Sequence, residues 1–450
     1  MVVIAALKEI YKGLTSVSNF SPIPFGVLGG GNTMVVLGFS WVLCTHGASF
    51  QGLGAANVQG VSADGLYVVG SRSTANGPEA FRWTATGGMV GLGVFPSSTP
   101  NSQGVAVSSN GAVVVGHSLR TNGFEAFRWT EGGDMVGLGE LPGGVFQSFP
   151  YAVSASGGVV VGYSSSEDGR EAFRWDGRMV GLGDFFQNDF QSAAYALSAD
   201  GSVVVGYGYS ASGPEAFRWT PGGGMVGLSA PNQDRFGSRA SSVSADGTII
   251  VGYAFYPDSG VNGLFQPFRW TQAGGMVKLG DLQTGVLTTY APAVLISGNG
   301  DVVVGNGFFP TEPFMWDAGH GIRNLRDVFV NWYGLNLNDW TLTRVTGISH
   351  DGLTIVGNGT RTSSGATEGW IARLGAGPLV GSTMQINQSN NQVILSWPVS
   401  ADAWKLQVTS NLLDSNSWTT LTNSPIVLGG RIRVADPIPG TGRFYRLKLP

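Results

Sequence analysis

Cysteine occurs once, at Cys44, so the chain can form no internal disulfide, no cysteine-cluster zinc site and no CxxC redox pair. Histidine occurs four times (His46, His117, His320, His350), never with His-x-x-x-His spacing, which argues against a histidine-based zinc site. Charged residues make up 12% of the chain, about half the usual ~25%. With a net charge of -4 and scattered Lys and Arg there is no basic stripe, so nucleic acid is not expected as a partner. No Gly-x-Ser-x-Gly elbow and no acidic calcium loop is present. The stretch "GLGELPGG" resembles a phosphate loop only loosely, because it links two strand patterns rather than opening a helix. Beyond the N-terminal region no run is apolar enough to span a bilayer. No cofactor is expected.

Glycine is abundant: 71 residues of 450, roughly double the ~7% average, without a Gly-X-Y period. Aromatic residues at 11% argue against disorder. The composition is that of a turn-rich, all-β chain. Residues 34–50, "MVVLGFSWVLCTHGASF", have a short apolar core followed by Gly47 and Ala48, the pattern of an export leader. Lys8 and Lys12 lie far upstream of it. Residues 1–48 are therefore read as a signal or leader region, with a buried or membrane-anchored segment as the alternative.

The phrase "EAFRW…MVGLG" recurs along the chain. A signature S-x-[D/N/S]-G begins at Ser62, Ser108, Ser154, Ser198, Ser244, Ser297 and Ser349, spaced between 44 (Ser154 to Ser198) and 53 (Ser244 to Ser297) residues apart. Each copy holds four short strand patterns, such as "YAVS", "VVVGY", "EAFRW" and "MVGLG", with Asp-Gly or Asn-Gly between the first two in six of the seven. Four strands per unit of this length predict a β-propeller blade. The seventh copy ends at "TEGWIARL" without a fourth strand, and the orphan "SFQGLG" (Ser49–Gly54) precedes the first copy. Together they predict a seven-bladed propeller of four-stranded blades closed by an N-terminal strand, over residues 49–374.

The repeated Phe and Trp are expected to pack between blades. The repeated Glu and Arg are expected to be hydrogen-bonded structure, since a catalytic group is not needed six times. The glycine closing each second strand, Gly70 to Gly357, recurs in all seven copies. After a Gly/Pro linker (375–382), residues 383–450 show about five alternating strand patterns.

The pattern "aVSaDGxVVVGYs…EAFRWt..GGMVGLG" resembles the HAF family of bacterial extracellular repeat proteins, over about residues 49–374. The resemblance implies export. That family carries no established catalytic activity or defined ligand, so no functional residue follows from it. The C-terminal stretch is similar to the small fibronectin-like β-sandwiches of secreted bacterial proteins.

Function is therefore sought where the copies differ. In a four-stranded blade the 1–2 and 3–4 turns emerge on one face, and the 2–3 loops and blade connections on the other. The variable segments carry the candidate ligand-binding residues Phe149, Phe190, Phe236, Tyr256, Trp332 and Tyr333. Two readings stay open. One is a noncatalytic secreted or cell-surface monomer binding an extracellular glycan or protein ligand; the other is an extracellular hydrolase or lyase acting on a polysaccharide.

Overall fold

The computed structural model describes residues 48–374, apart from residues 98, 186–189, 212, 229–236, 257–263, 281–293 and 308–312. Outside that span it describes residues 27–28, 35–36 and seven short segments between 385 and 448. The chain divides into two compact units, one of residues Cys44–Pro378 and one of Met1–Leu43 with Leu379–Pro450.

The turn signature shows why each blade starts as it does. In Ser198-Ala199-Asp200-Gly201 the buried serine hydroxyl accepts from the Val203 N–H (3.0 Å) and donates to Asp200 Oδ1 (2.5 Å). Those bonds, with Ser202, hold the Asp200 carboxyl down to about 2. Gly201 closes the turn at φ 73°, a conformation an L side chain resists. The same clamp recurs with Asp or Asn in five other copies and with Ser156 in that place in the third, each leading serine being 0–1% exposed. A chain led back so tightly must pair antiparallel with itself.

Seven blades of four antiparallel strands result, the third carrying in addition the short parallel strand Phe190–Gln191. Blade 1 comprises Ala56–Val61, Tyr67–Thr74, Gly77–Thr84 and Gly88–Gly93, strands 1 to 4 in spatial order. Blades 2 to 6 repeat that order. Blade 7 takes Trp340–Ile348, Thr354–Arg361 and Thr367–Arg373 from its own copy, and its fourth strand is Ser49–Gly52. The first strands of successive blades touch one another all the way round, the seventh meeting the first. The protein is an all-β seven-bladed β-propeller.

A separate apolar cluster fills each interface between blades. Val69, Ala80 and Phe95 of blade 1 meet Val114 and Phe127 of blade 2, and at the seam Val356 and Ile371 of blade 7 meet Phe81 and Trp83 of blade 1. The repeated phenylalanines of blades 1 to 5 are wholly buried, whereas Trp129, Trp175, Trp219 and Trp270 are half-buried. The repeated arginine ties one blade to the next. Arg82 donates to the Gly111 carbonyl, Arg128 to that of Gly157, and Arg373 to that of Gly65 across the seam. The repeated glutamate closes the outer strand: Glu125 and Glu171 accept from the N–H groups of Gly139 and Gly183 at 3.0 Å.

Two expectations need correction. The recurrent glycine does not close strand 2; Gly70 sits mid-strand in Tyr67–Thr74. Strand 1 carries one extra residue opposite it, between Val58 and Gly60. That bulge drives the Asn57 carbonyl to 2.0 Å from where a Cβ on Gly70 would stand, so only glycine fits. The 2–3 loops, where the sequence pattern suggests a looser connection into "EAFRW", are also tight in blades 1 to 4. Strand 2 continues to a two-residue turn, as at Ser166↔Gly169, ended by a glycine at φ 109–150°. Variation on that face therefore comes mainly from the connections between blades.

The turns of the opposite face join into a girdle about the axis. The Ala155 N–H donates to the Ala199 carbonyl, Ala199 to Ala245, and Ala245 to Gly298, each at 2.8–2.9 Å. His350 continues the series to Ala63 at 2.9 Å.

In the second unit, Gln385–Ser389, Gln392–Pro398, Arg431–Pro437 and Ile426–Leu428 pair in that order. Thr419–Thr420, Lys405–Thr409 and Phe444–Lys448 form another antiparallel sheet. Val27–Leu28 pairs with Val35–Val36. The expected linker and most of the expected leader lie outside the described residues.

Candidate functional site

An arc of aromatic rings crosses blades 2, 3 and 4. It starts at Phe124, 5.3 Å from His117, and His117 stands 4.9 Å from Phe149. Phe149 stacks on Tyr163 (5.2 Å, 20° between planes). Tyr163 is 5.8 Å from Tyr151, and Tyr151 is 5.1 Å from Tyr195 of the next blade. Tyr195 then meets Tyr207 (5.5 Å), which meets Tyr209 (6.2 Å).

The bulge explains how two inner strands bring tyrosines together. Tyr151 and Tyr195 are the extra residues of strand 1 in blades 3 (Gly143–Val153) and 4 (Ala193–Leu197), left without a cross-strand partner. Tyr163 and Tyr207 follow the bulge-facing glycines Gly162 and Gly206 in strand 2. Phe124 opens strand 3 of blade 2 and Tyr209 nears the end of strand 2 of blade 4. The arc therefore tends toward the face that bears the 2–3 turns. Most of its rings are half-buried; Tyr207 is buried and Tyr209 is exposed.

Two arginines lie on these rings. The guanidinium of Arg170 sits 3.8 Å from the Tyr163 ring centre, and that of Arg239 sits 4.2 Å from Tyr207. Burial pushes the Tyr151 phenol up to about 12, against the pull of nearby Arg170. Tyr195 and Tyr163 are raised for the same first reason, burial. All three hydroxyls thus stay protonated at neutral pH and can both donate and accept hydrogen bonds. Burial lowers the His117 imidazole to about 4, and its Nδ1 has no hydrogen-bond partner.

The structure distributes the six sequence candidates unevenly. Phe149 joins the arc, but as part of strand 1 rather than a loop, since that strand reaches back to Gly143. Phe190 pairs in parallel with the start of strand 3 beside Arg170. Phe236 lies outside the described residues. Tyr256 ends strand 2 of blade 5 and is 3% exposed, with the Lys278 ammonium 4.4 Å from its ring centre. It is packing, not a surface platform.

Trp332 and Tyr333 are not on the face assigned to them. A capped helical turn, Leu325–Asp327, runs into a π-helical turn, Val328–Trp332, because Phe329, Leu335 and Leu337 bury into the interface of blades 6 and 7. Trp332 consequently packs 4.7 Å from His320, in the 3–4 turn of blade 6, and under Arg323 (4.4 Å).

Sequence reasoning passed over Tyr151, Tyr163, Tyr195, Tyr207 and Arg170. A signal was present. At the bulge position the other copies carry Gln59, Val105, Ser241, Val294 and Thr346; after the strand-2 glycine they carry Ser71, His117, Tyr253, Asn306 and Asn358.

Among the described residues no group of three or more His, Cys, Asp or Glu side chains is placed to hold a metal ion. No described helix is long and apolar enough to cross a membrane.

No protein-family model and no curated protein matches this sequence. Solved structures do. An oligogalacturonate lyase from Vibrio parahaemolyticus is 9% identical, with 78% of this chain and 96% of that one covered at a TM-score of 0.47. The β-propeller domain of Cps50 (Swd1) from Myceliophteria thermophila is 12% identical, with 70% and 95% covered at 0.43. TolB from Acinetobacter baumannii is 13% identical, with 71% of this chain covered at 0.38; the chain spans 63% of that TolB. At such identities the likeness is one of fold alone.

Proposed function

We propose that this chain is a noncatalytic bacterial binding protein of the cell exterior, whose propeller presents the aromatic arc to a glycan or protein ligand. The arc carries the reading. Tyrosine offers a rigid apolar face with a polar tip, and half-buried tyrosines gathered on one side of a rigid scaffold suit reversible recognition. The resemblance to HAF repeats and the apolar segment at residues 34–50 support export. The C-terminal unit is proposed to be a small fibronectin-like sandwich appended to the ring. A polysaccharide hydrolase or lyase on the same face is the competing reading.

The experiment compares two faces. Tyr209→Ala and Phe149→Ala alter the arc; Leu66→Ser alters an exposed residue (56%) in a 1–2 turn of the other face. Binding to a glycan array and to isolated cell envelope is measured for each, beside a polysaccharide-cleavage panel. Loss confined to the arc variants is expected. Loss confined to Leu66→Ser, or turnover of a polysaccharide, overturns the reading.

A further inference from the structure

Arg170 occupies the second residue of strand 3 in blade 3, where the other copies have Pro78, Phe124, Pro214, Phe265, Thr311 and Thr367. It is the one cation this position ever carries. Its guanidinium carbon lies 3.8 Å from the centre of the Tyr163 ring, which holds the fork against that ring. Its Nε is buried with no hydrogen-bond partner. Elsewhere in the propeller Arg72, Arg82, Arg120, Arg174, Arg323 and Arg361 each pair with a carboxylate; among the described residues Arg170 pairs with none.

A buried N–H left unbonded is costly, and a ligand acceptor would relieve that cost. A planar fork matches the two oxygens of a carboxylate. The neighbouring half-buried Tyr151 offers ring surface for the C–H groups of a sugar, and the protonated hydroxyls of Tyr151 and Tyr163 suit its oxygens. Resting on the binding reading above, we propose that the arc recognises an acidic polysaccharide, with Arg170 holding the carboxylate of a uronic acid residue while Tyr151 beside it packs against its pyranose ring. A single guanidinium balances the single charge of such a residue, and the neutral phenols around it add no repulsion.

The test is calorimetric titration of the full chain with an alginate hexasaccharide, neutral cellohexaose, a sulfated hexasaccharide and hexaglutamate, repeated for Arg170→Gln and Arg170→Lys. The alginate oligomer is expected to bind best. Arg170→Gln should weaken it roughly tenfold or more while leaving any residual cellohexaose binding unchanged. Arg170→Lys keeps the charge without the fork and should fall between; it also serves should the glutamine variant melt early. Equal affinity for alginate and cellohexaose, untouched by Arg170→Gln, overturns the carboxylate assignment and leaves the arc as a neutral-glycan site. Preference for the sulfated oligomer or for hexaglutamate overturns the uronate assignment. Alginate binding that survives both arginine variants and also Tyr209→Ala and Phe149→Ala overturns the arc itself.

Discussion

Asn358 closes the ring on Val58. The asparagine Oδ1 accepts from the Val58 N–H and its Nδ2 donates to the Val58 carbonyl, both at 2.9 Å, across 300 residues of sequence. The amide thus supplies both hydrogen-bonding partners of one inner-strand residue at the seam. Asn306 does the same for Val345 between blades 6 and 7, at 2.7 and 3.1 Å.

Asn358→Ala leaves a buried N–H and a buried carbonyl without these partners. A loss of about 2–4 kcal/mol is expected, read as a lower urea midpoint with little change in slope. Asn358→Asp keeps the acceptor but sets a carboxylate against the Val58 carbonyl, and should not rescue. A parent-like midpoint for both variants would show that strand pairing alone holds the seam.

Phe173 and Trp175 separate packing by burial. Phe173 is wholly buried opposite Gly162, so Phe173→Ala should cost about 3–5 kcal/mol. Trp175 is half-buried in the interface of blades 2 and 3, and Trp175→Ala should cost roughly half as much. The order of the two melting temperatures decides the matter; a reversed order contradicts the assignment of the phenylalanine as the core member of the phrase.

Gly206 and Gly222 contrast two glycines of one blade. A Cβ on Gly206 would lie 2.0 Å from the Ala193 carbonyl oxygen, whereas nothing stands within 4 Å of one on Gly222. Gly206→Ala should cost at least about 2 kcal/mol by forcing the bulge to shift, and Gly222→Ala should stay within about 0.5 kcal/mol of the parent. Chemical denaturation of the two variants provides the comparison.

His117 gives stability a pH dependence. Its folded value is depressed to about 4 from the 6.5 of an ordinary imidazole, so between those limits the unfolded chain binds more protons. The stability this neutral imidazole confers is complete above about pH 6.5 and is lost as pH falls toward 4. At most about 3 kcal/mol is involved. The difference in unfolding free energy between parent and His117→Phe, followed from pH 7.5 to 4.5, should change through that window. A flat difference would refute the burial of the imidazole.

The blades were legible because their local chemistry repeats. Ser-x-Asp-Gly marks a turn wherever it stands, and the lone "SFQGLG" before the first copy pointed to the strand that pairs with Thr367–Arg373. The structural role of Glu125 and Arg82 followed from repetition too. The arc was not legible by the same route. Tyr151 reaches Tyr195 only because each is the surplus residue of a bulge, and a bulge shows in the pairing register, not in the residue pattern. Trp332 was misplaced because Phe329, Leu335 and Leu337 anchor its connection in the interface of the sixth and seventh blades and leave the exposed Trp332 beside the 3–4 turn of blade 6, a fold-back that the residue pattern does not show.

The girdle of 1–2 turns is made from main-chain atoms that almost every residue possesses. Its members include Ala155, Gly298 and His350, three residue types with nothing in common but the main chain. The alanine members can therefore be exchanged between copies without rewriting their neighbours, whereas a side chain added at Gly298 would run into His350. The far side of the ring is under no such obligation, and there a single change, such as proline to arginine at the second residue of strand 3, alters what the surface presents. On the proposed reading, construction and recognition are written in different parts of each copy, so a library that varies only the second should yield folded rings with new preferences.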